Sequence, residues 1–201
     1  MSGNSCVIMP SLLYCNLRRQ PPSNMKSEQY ALAQRARSAI ASSSAHSAIA
    51  LGSNLGDSRT ILENALKTIA QTPGIILKDR SSWYQTAPVG PPQPDYLNGC
   101  ALLDVRLTPQ ELLESLLKIE AQFGRTRKER WEPRTLDLDL LLFDDLILDI
   151  PNLQVPHPCM RERAFVLVPL AEIAPNWVEP VSGKAIAQLV QTVDCSGVRR
   201  L

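Results

Sequence analysis

Residues 134–143 read RTLDLDLLLF, and the alternation within them decides the fold. A strand sends successive side chains to opposite faces. Leu136, Leu138, Leu140 and Leu142 then line one face, and Asp137 and Asp139 share the other. The apolar face must be buried against a second layer. The two carboxylates lie roughly 6–7 Å apart at ~3.3 Å per residue. Like charges that close, beside apolar neighbours, disfavour joint ionisation. The pair therefore calls for something that offsets the repulsion.

Working outward, SAIALGSN (47–54) reads as a short apolar strand, and Asp57 can cap the helix after it. Leu62, Ala65, Leu66, Ile69 and Ala70 form one helical stripe, which Pro73-Gly74 ends. IILKDRSSWYQT (75–86) reads as a strand, APVGPPQPD (87–95) as a stiff proline loop, and YLNGCALLDVRL (96–107) as a long strand. Thr108-Pro109-Gln110-Glu111 is a capping box with Pro at the first helical position. Leu112, Leu113, Leu116, Leu117 and Ile119 supply that helix's core face, and Gly124 stops it. LILDIPNLQVPHP (146–158) is irregular, and short helices are expected near 161–172 and 184–192. The order is βαββαβ, the ferredoxin-like α+β sandwich with C-terminal additions, its helices packed on one face of an antiparallel sheet. The other face is covered by loops and the C-terminal part, or left open as a site.

The chain has 201 residues, 44% of them hydrophobic, enough for one domain with a substantial core plus some excess. The formal net charge of +1 gives the whole chain no bias towards nucleic acid or an acidic membrane. No apolar run approaches the ~20 residues of a membrane helix. Five scattered cysteines without a C-x-x-C pair indicate neither zinc nor a disulfide framework, and fit reduced thiols in a cytoplasmic setting. Residues 1–46 differ from the rest: Arg18, Arg19, Lys26, Arg35 and Arg37 face a single acid, Glu28. This reads as a basic, disordered extension or a misassigned start, with organelle import as the alternative. The catalytic domain is expected over 47–201.

A D-x-D pair on one strand face suits Mg²⁺, which takes one or two carboxylates and completes its shell with water and phosphate oxygens. The upstream loop GRTRKERWEPRT (124–135) carries Arg125, Arg127, Lys128, Arg130 and Arg134 around Trp131. Arginine forks bind phosphate oxygens bidentately. Acids beside such a loop suggest a nucleoside triphosphate with magnesium, and the absence of G-x-x-x-x-G-K-[ST] excludes a P-loop site. Glu120, near its helix C-terminus, is disfavoured by the dipole, and pairing with the arginines beyond it relieves this. The competing reading is a ferredoxin-like RNA-binding module using the basic loop. Its strand would lack the aromatics such modules carry, and its acids would repel RNA.

Four ordered blocks, ALGSNLGD (50–57), SSWYQTAPVGPPQPDYLNG (81–99), IEAQFGRTRKERWEPRTLDLDLLLF (119–143) and VPHPCMRERAFVLVPLAEIAP (155–175), resemble the 6-hydroxymethyl-7,8-dihydropterin pyrophosphokinase family over roughly residues 48–193. The resemblance implies transfer of the β,γ-diphosphate of ATP to the pterin hydroxymethyl oxygen, leaving AMP. It implies two Mg²⁺ ions held by Asp137 and Asp139, and catalytic roles for these acids with Arg125 and Arg134. By the same resemblance Glu120, Arg125, Trp131, Arg134, His157 and Arg163 bind ATP. Gly52, Ser53, Asn54, Thr86, Val89, Tyr96, Asn98 and Phe165 bind the pterin, Tyr96 and Phe165 by stacking. Arg127 and Trp131 belong to a mobile loop that closes with the proline loop over the site. The expected protein is a monomer acting on small molecules, with neither nucleic-acid nor membrane partners.

Overall fold

The computed structural model of the protein describes residues 44–88, 92–125 and 133–201. The N-terminal extension, up to residue 43, lies outside the described residues, and its import reading with it. The core elements are β1 (Ala45–Ser53), α1 (Ser58–Ala70), β2 (Ile75–Arg80), β3 (Tyr84–Thr86), β4 (Tyr96–Val105), α2 (Pro109–Gln122) and β5 (Asp137–Phe143). A hairpin of β6 (Leu148–Ile150) and β7 (Leu153–Val155) follows, then a 3₁₀ turn at Met160–Glu162 and α3 (Ala164–Ile173). The chain ends with β8 (Val178–Glu179), β9 (Lys184–Ala185), α4 (Ile186–Val190) and β10 (Val198–Arg200). The main sheet runs β10-β3-β4-β1-β5, with β2 also on β4, and every pairing is antiparallel. Because β2 and β3 share one edge of β4, the four-strand order is that of the expected ferredoxin-like sandwich. Among the described residues no helix is long and apolar enough to cross a membrane.

Local signals set the helix starts. Asp57 Oδ1 accepts the Thr60 N–H, and Thr108 and Glu111 form the reciprocal capping box. Beyond α2, Gly124 has φ +77°, which an L side chain resists. The stripes of α1 and α2 bury Leu62, Leu66, Ile69, Leu112 and Leu116 against Ile49, Leu51, Leu103, Leu138 and Leu140. On the opposite face α3 and α4 bury Val166, Leu167, Leu170, Ile186 and Leu189 against Ala48, Cys100, Leu141 and Leu142. The last helix is shorter than the expected 184–192, since Lys184 and Ala185 pair with β8.

Two corrections matter for the site. Leu142 does not face α1 and α2 with Leu138 and Leu140; it joins the α3 layer. The register shifts between Ala48 and Ile49, which pair with Leu142 and Leu140. Leu141 is the extra residue of a bulge, and parity flips past it. Second, the strand expected over 75–86 breaks at Ser81–Trp83. There Ser81 Oγ accepts the Cys100 N–H (2.9 Å), and Trp83 turns into the α1 layer, where its Nε1–H donates to Glu63 (2.8 Å). The indole lies over Gly99: a Cβ there would sit 2.6 Å from Trp83 Cζ3. Gly99→Ala is expected to lower stability by about 1–3 kcal/mol, the usual cost of overpacking. Denaturant unfolding at constant m-value measures it.

Glu172, near the end of α3, fastens this break to the rest of the fold. Its carboxylate accepts Ser82 N–H (2.9 Å), Ser82 Oγ–H (2.8 Å), Tyr84 Oη–H (2.9 Å) and Arg200 Nη2–H (2.8 Å). Burial opposes its ionisation, but the Ser82 and Tyr84 donors and Arg200 outweigh this and hold its carboxyl below the usual glutamate range. Burial and the same glutamate push the Tyr84 phenol up to about 12. A depressed folded-state value means stability that is complete above the unfolded-state value and lost as pH falls through the folded one. Acid unfolding of the wild type is therefore expected to be steeper below pH ~4.5 than that of Glu172→Gln, whose stability is lower at neutral pH. Equal pH slopes for the two would contradict this account.

Candidate active site

On the α3-facing side of the sheet, two rows of residues run from β4 to β5. Asn98, Gly52 and Asp137 lie side by side across β4, β1 and β5, and Cys100, Ala50 and Asp139 form the next row. Small residues on β1 let α3 approach over Ala48, while Gly52, Asn98 and Asp137 lie outside the apolar cluster beneath α3. A Cβ at Gly52 would meet Asn98 Oδ1 at 3.1 Å, so glycine keeps the floor low. The D-x-D alternation thus places both acids on this face, as the strand reading predicted.

The two carboxylates have different surroundings. Arg125 Nη1 lies 2.6 Å from Asp137 Oδ1, and Arg134 Nη1 hydrogen-bonds Asp137 Oδ2. Asp137 Oδ1 is nevertheless buried without an aligned hydrogen-bond donor. Burial disfavours the Asp137 anion, but Arg125 and Arg134 overcome that and hold its carboxyl below the ordinary range. Among the described residues, the cation that Asp139 pairs with is Arg163, whose Nη1 lies 3.9 Å away. Burial and then the charge of Asp137 push its carboxyl up.

Glu120 is neither exposed nor at the edge of the site. It is 2% exposed, accepts the Leu138 N–H through Oε1 (2.8 Å), and pairs with Arg125. One glutamate thereby fixes both the start of β5 and the guanidinium facing Asp137. On the other side, the Val155–Pro156 peptide is cis and His157 N–H donates to Leu141 O (2.9 Å), docking the turn on β5. The Cys159 N–H donates to His157 Nδ1 (3.2 Å), so the neutral ring carries its proton on Nε2. Burial holds His157 below its usual value, against the pull of Asp139. Arg163 lies over the Phe165 ring, 5.6 Å from its centroid, at the start of α3.

At the β3–β4 end, Asn98 Nδ2 donates to Thr86 Oγ1 (2.7 Å), which fixes the amide with Oδ1 over Gly52. Tyr96 is half-buried in the same corner, its phenol raised by burial. Ser53 and Asn54 stand apart from the other predicted pterin residues. Ser53 is on the opposite strand face and donates to Ser58 Oγ at the start of α1 (3.0 Å). The Asn54 amide ties two loops together. Nδ2 donates to Gln93 Oε1 (3.0 Å) and Pro94 O (3.1 Å), and Oδ1 accepts the Arg134 N–H (2.7 Å). Val89, Arg127 and Trp131 fall outside the described residues, as does most of the expected moving loop. Sequence reasoning passed over Gln93 and Glu172, which are single polar residues without a motif.

A family model described as 7,8-dihydro-6-hydroxymethylpterin-pyrophosphokinase matches residues 48–175. A Synechocystis protein named 2-amino-4-hydroxy-6-hydroxymethyldihydropteridine pyrophosphokinase is 53% identical over 150 residues, covering 75% of this chain and 77% of that protein. Proteins of the same name from Methylorubrum extorquens and Pseudomonas aeruginosa are 44% and 45% identical over 154 residues. Each alignment covers 76% of this chain, with 96% and 94% of the relative respectively. Among solved structures, wild-type Plasmodium falciparum HPPK-DHPS shares the fold with a TM-score of 0.59 at 14% identity, covering 74% of this chain and 44% of that one. The chain thus spans less than half the length of that structural relative. With two acids and three arginines gathered on one side of the sheet and relatives named pyrophosphokinases, the chain is a transferase. The chain is a member of the 7,8-dihydro-6-hydroxymethylpterin-pyrophosphokinase family.

Proposed function

We propose that the chain transfers the β,γ-diphosphate of ATP to the hydroxymethyl oxygen of 6-hydroxymethyl-7,8-dihydropterin, releasing AMP, as a Mg²⁺-dependent step of folate biosynthesis. The observation that carries this reading is the pair of half-buried carboxylates on one strand face, ringed by Arg125, Arg134 and Arg163. Asp137 Oδ1, which has no aligned donor, and Asp139, whose anion is destabilised, fit a hard divalent cation with oxygen ligands. Among the described residues no group of three or more His, Cys, Asp or Glu side chains forms a metal cage. That suits Mg²⁺, which keeps much of its shell for water and phosphate. Asp137 and Asp139 would hold two such ions, which when bound supply charge neutralisation along the triphosphate.

The remaining work falls to this chain's own groups. Arg125, braced by Glu120, and Arg134 hold phosphate oxygens and take up charge developing between donor and acceptor. His157 offers Nε2–H, and Arg163 its guanidinium, to the nucleotide from the α3 side. Tyr96 and Phe165 hold the pterin between them, and the Asn98 amide reads the ring edge with one donor and one acceptor. The catalytic gain is alignment of the hydroxymethyl oxygen with the β-phosphorus, together with a preset field. The chain acts as a monomer on small molecules in this reading. Incubation with ATP, Mg²⁺ and the pterin should release AMP and pterin diphosphate in equal amounts, and excess chelator should stop it. ADP instead of AMP, or no pterin-dependent turnover, would overturn the proposal.

A further inference from the structure

We infer that the C-terminal strand β10 is a positioning element for the pterin pocket, acting through an Arg199–Gln85–Asp95 relay. This deepens the proposed function and rests on its assignment of the pterin corner. The family match ends at residue 175, whereas β10 lies at 198–200. Even so, β10 pairs with β3 so that Val198, Arg199 and Arg200 face Thr86, Gln85 and Tyr84. β3 is only three residues long and follows the break at Ser81–Trp83. With β10 it is an inner strand; without it, a short edge strand paired on one side only. Thr86, which fixes the Asn98 amide, belongs to this strand.

The relay adds direction to that support. Arg199 Nη2 donates to Gln85 Oε1, and Gln85 Nε2 donates to Asp95 Oδ2 (2.7 Å). An arginine donates only, so it claims the amide oxygen and turns the NH₂ group towards Asp95. Asp95 immediately precedes Tyr96, at the point where the proline loop enters β4. At its other end the strand is anchored twice: Leu201 N–H donates to Trp83 O (2.9 Å), and Arg200 Nε–H donates to Ser82 Oγ (2.9 Å). The tail therefore holds both sides of the pterin corner, the Thr86–Asn98 pair and the Asp95–Tyr96 junction, and touches neither the acids nor the nucleotide side.

The prediction is a split between substrates. Arg199→Ala and Gln85→Leu are each expected to raise KM for the pterin by about three- to tenfold, the worth of one hydrogen-bond relay at a partly exposed site. KM for ATP should stay within about twofold, because that half of the site is untouched. A chain ending at Gly197 should show the larger pterin effect. Amide exchange of substrate-free protein adds a readout independent of turnover: Arg199→Ala should speed exchange at Asp95 and Tyr96 but not across β5. The inference is overturned if pterin KM is unchanged, if both KM values rise together, or if exchange at Asp95 and Tyr96 is unaltered. Wild-type AMP release tests the proposed function separately, and the exchange measurement decides the relay whatever that assay gives.

Discussion

Asp139→Asn should raise the melting temperature of the metal-free protein while removing most of its turnover. The two effects have one cause. Asp139 is half-buried beside Asp137, the nearest cation among the described residues is 3.9 Å away, and both desolvation and its neighbour raise its carboxyl. A raised folded-state value gives stability that is complete below the unfolded-state value and lost as pH climbs through the folded one. At neutral pH the aspartate is a net cost, which asparagine removes without changing shape. A gain of roughly 2–4 °C corresponds to about 1 kcal/mol in a domain of this size. Turnover should fall by about 10²–10³, the scale of losing one preorganised electrostatic contact at the reacting centre. Asp137→Asn should lose turnover as well but also stability, because Arg125 and Arg134 then lose the carboxylate that both contact. Calorimetry with and without Mg²⁺, alongside AMP release, separates the two. A lower melting temperature for metal-free Asp139→Asn would remove the argument that this carboxylate is held at a cost.

The second large effect concerns Arg125. Its side chain is 6% exposed and lies between the carboxylates of Glu120 and Asp137. Replacing it with methionine keeps much of the volume but takes away the cation between Glu120 and Asp137, leaving Asp137 with Arg134, at a cost of about 3–5 kcal/mol. On the proposed function the same change also removes a guanidinium assigned to the phosphates, with an expected loss of about 10²–10³ in kcat. Adding Glu120→Gln should recover part of the stability and none of the turnover. The neutral amide oxygen then accepts less strongly from Leu138 N–H than the carboxylate did, so recovery stays incomplete. If the double variant regained activity, Arg125 would be a structural residue and not a catalytic one.

Much of this site was legible before the fold was seen. The D-x-D alternation put two acids on one face, and the arginines flanking it carried the phosphate reading. What did not show was the difference between the acids. It depends on Arg125 and Arg134 reaching Asp137 while Asp139 is left to Arg163, an arrangement made by three separate segments. Glu120 read from helix position as a terminal charge near arginines. Its burial and its bond to β5 required α2 to be docked on the sheet. Asn54 sat in a motif that pointed to the pterin, yet its amide spans Gln93, Pro94 and the Arg134 backbone. Loop-to-loop contacts leave no periodicity behind.

The helix caps, the βαββαβ order of the core and the faces of the β5 residues up to Leu140 were readable from the chain alone, because these depend on neighbours within one or two turns. The tertiary structure decided the bulge at Leu141, the break that seats Trp83 over Gly99, and the strand that the C-terminal residues lend to β3. Each of these is a choice between locally equivalent conformations. It is settled only by close packing and by backbone groups that must find partners far along the chain.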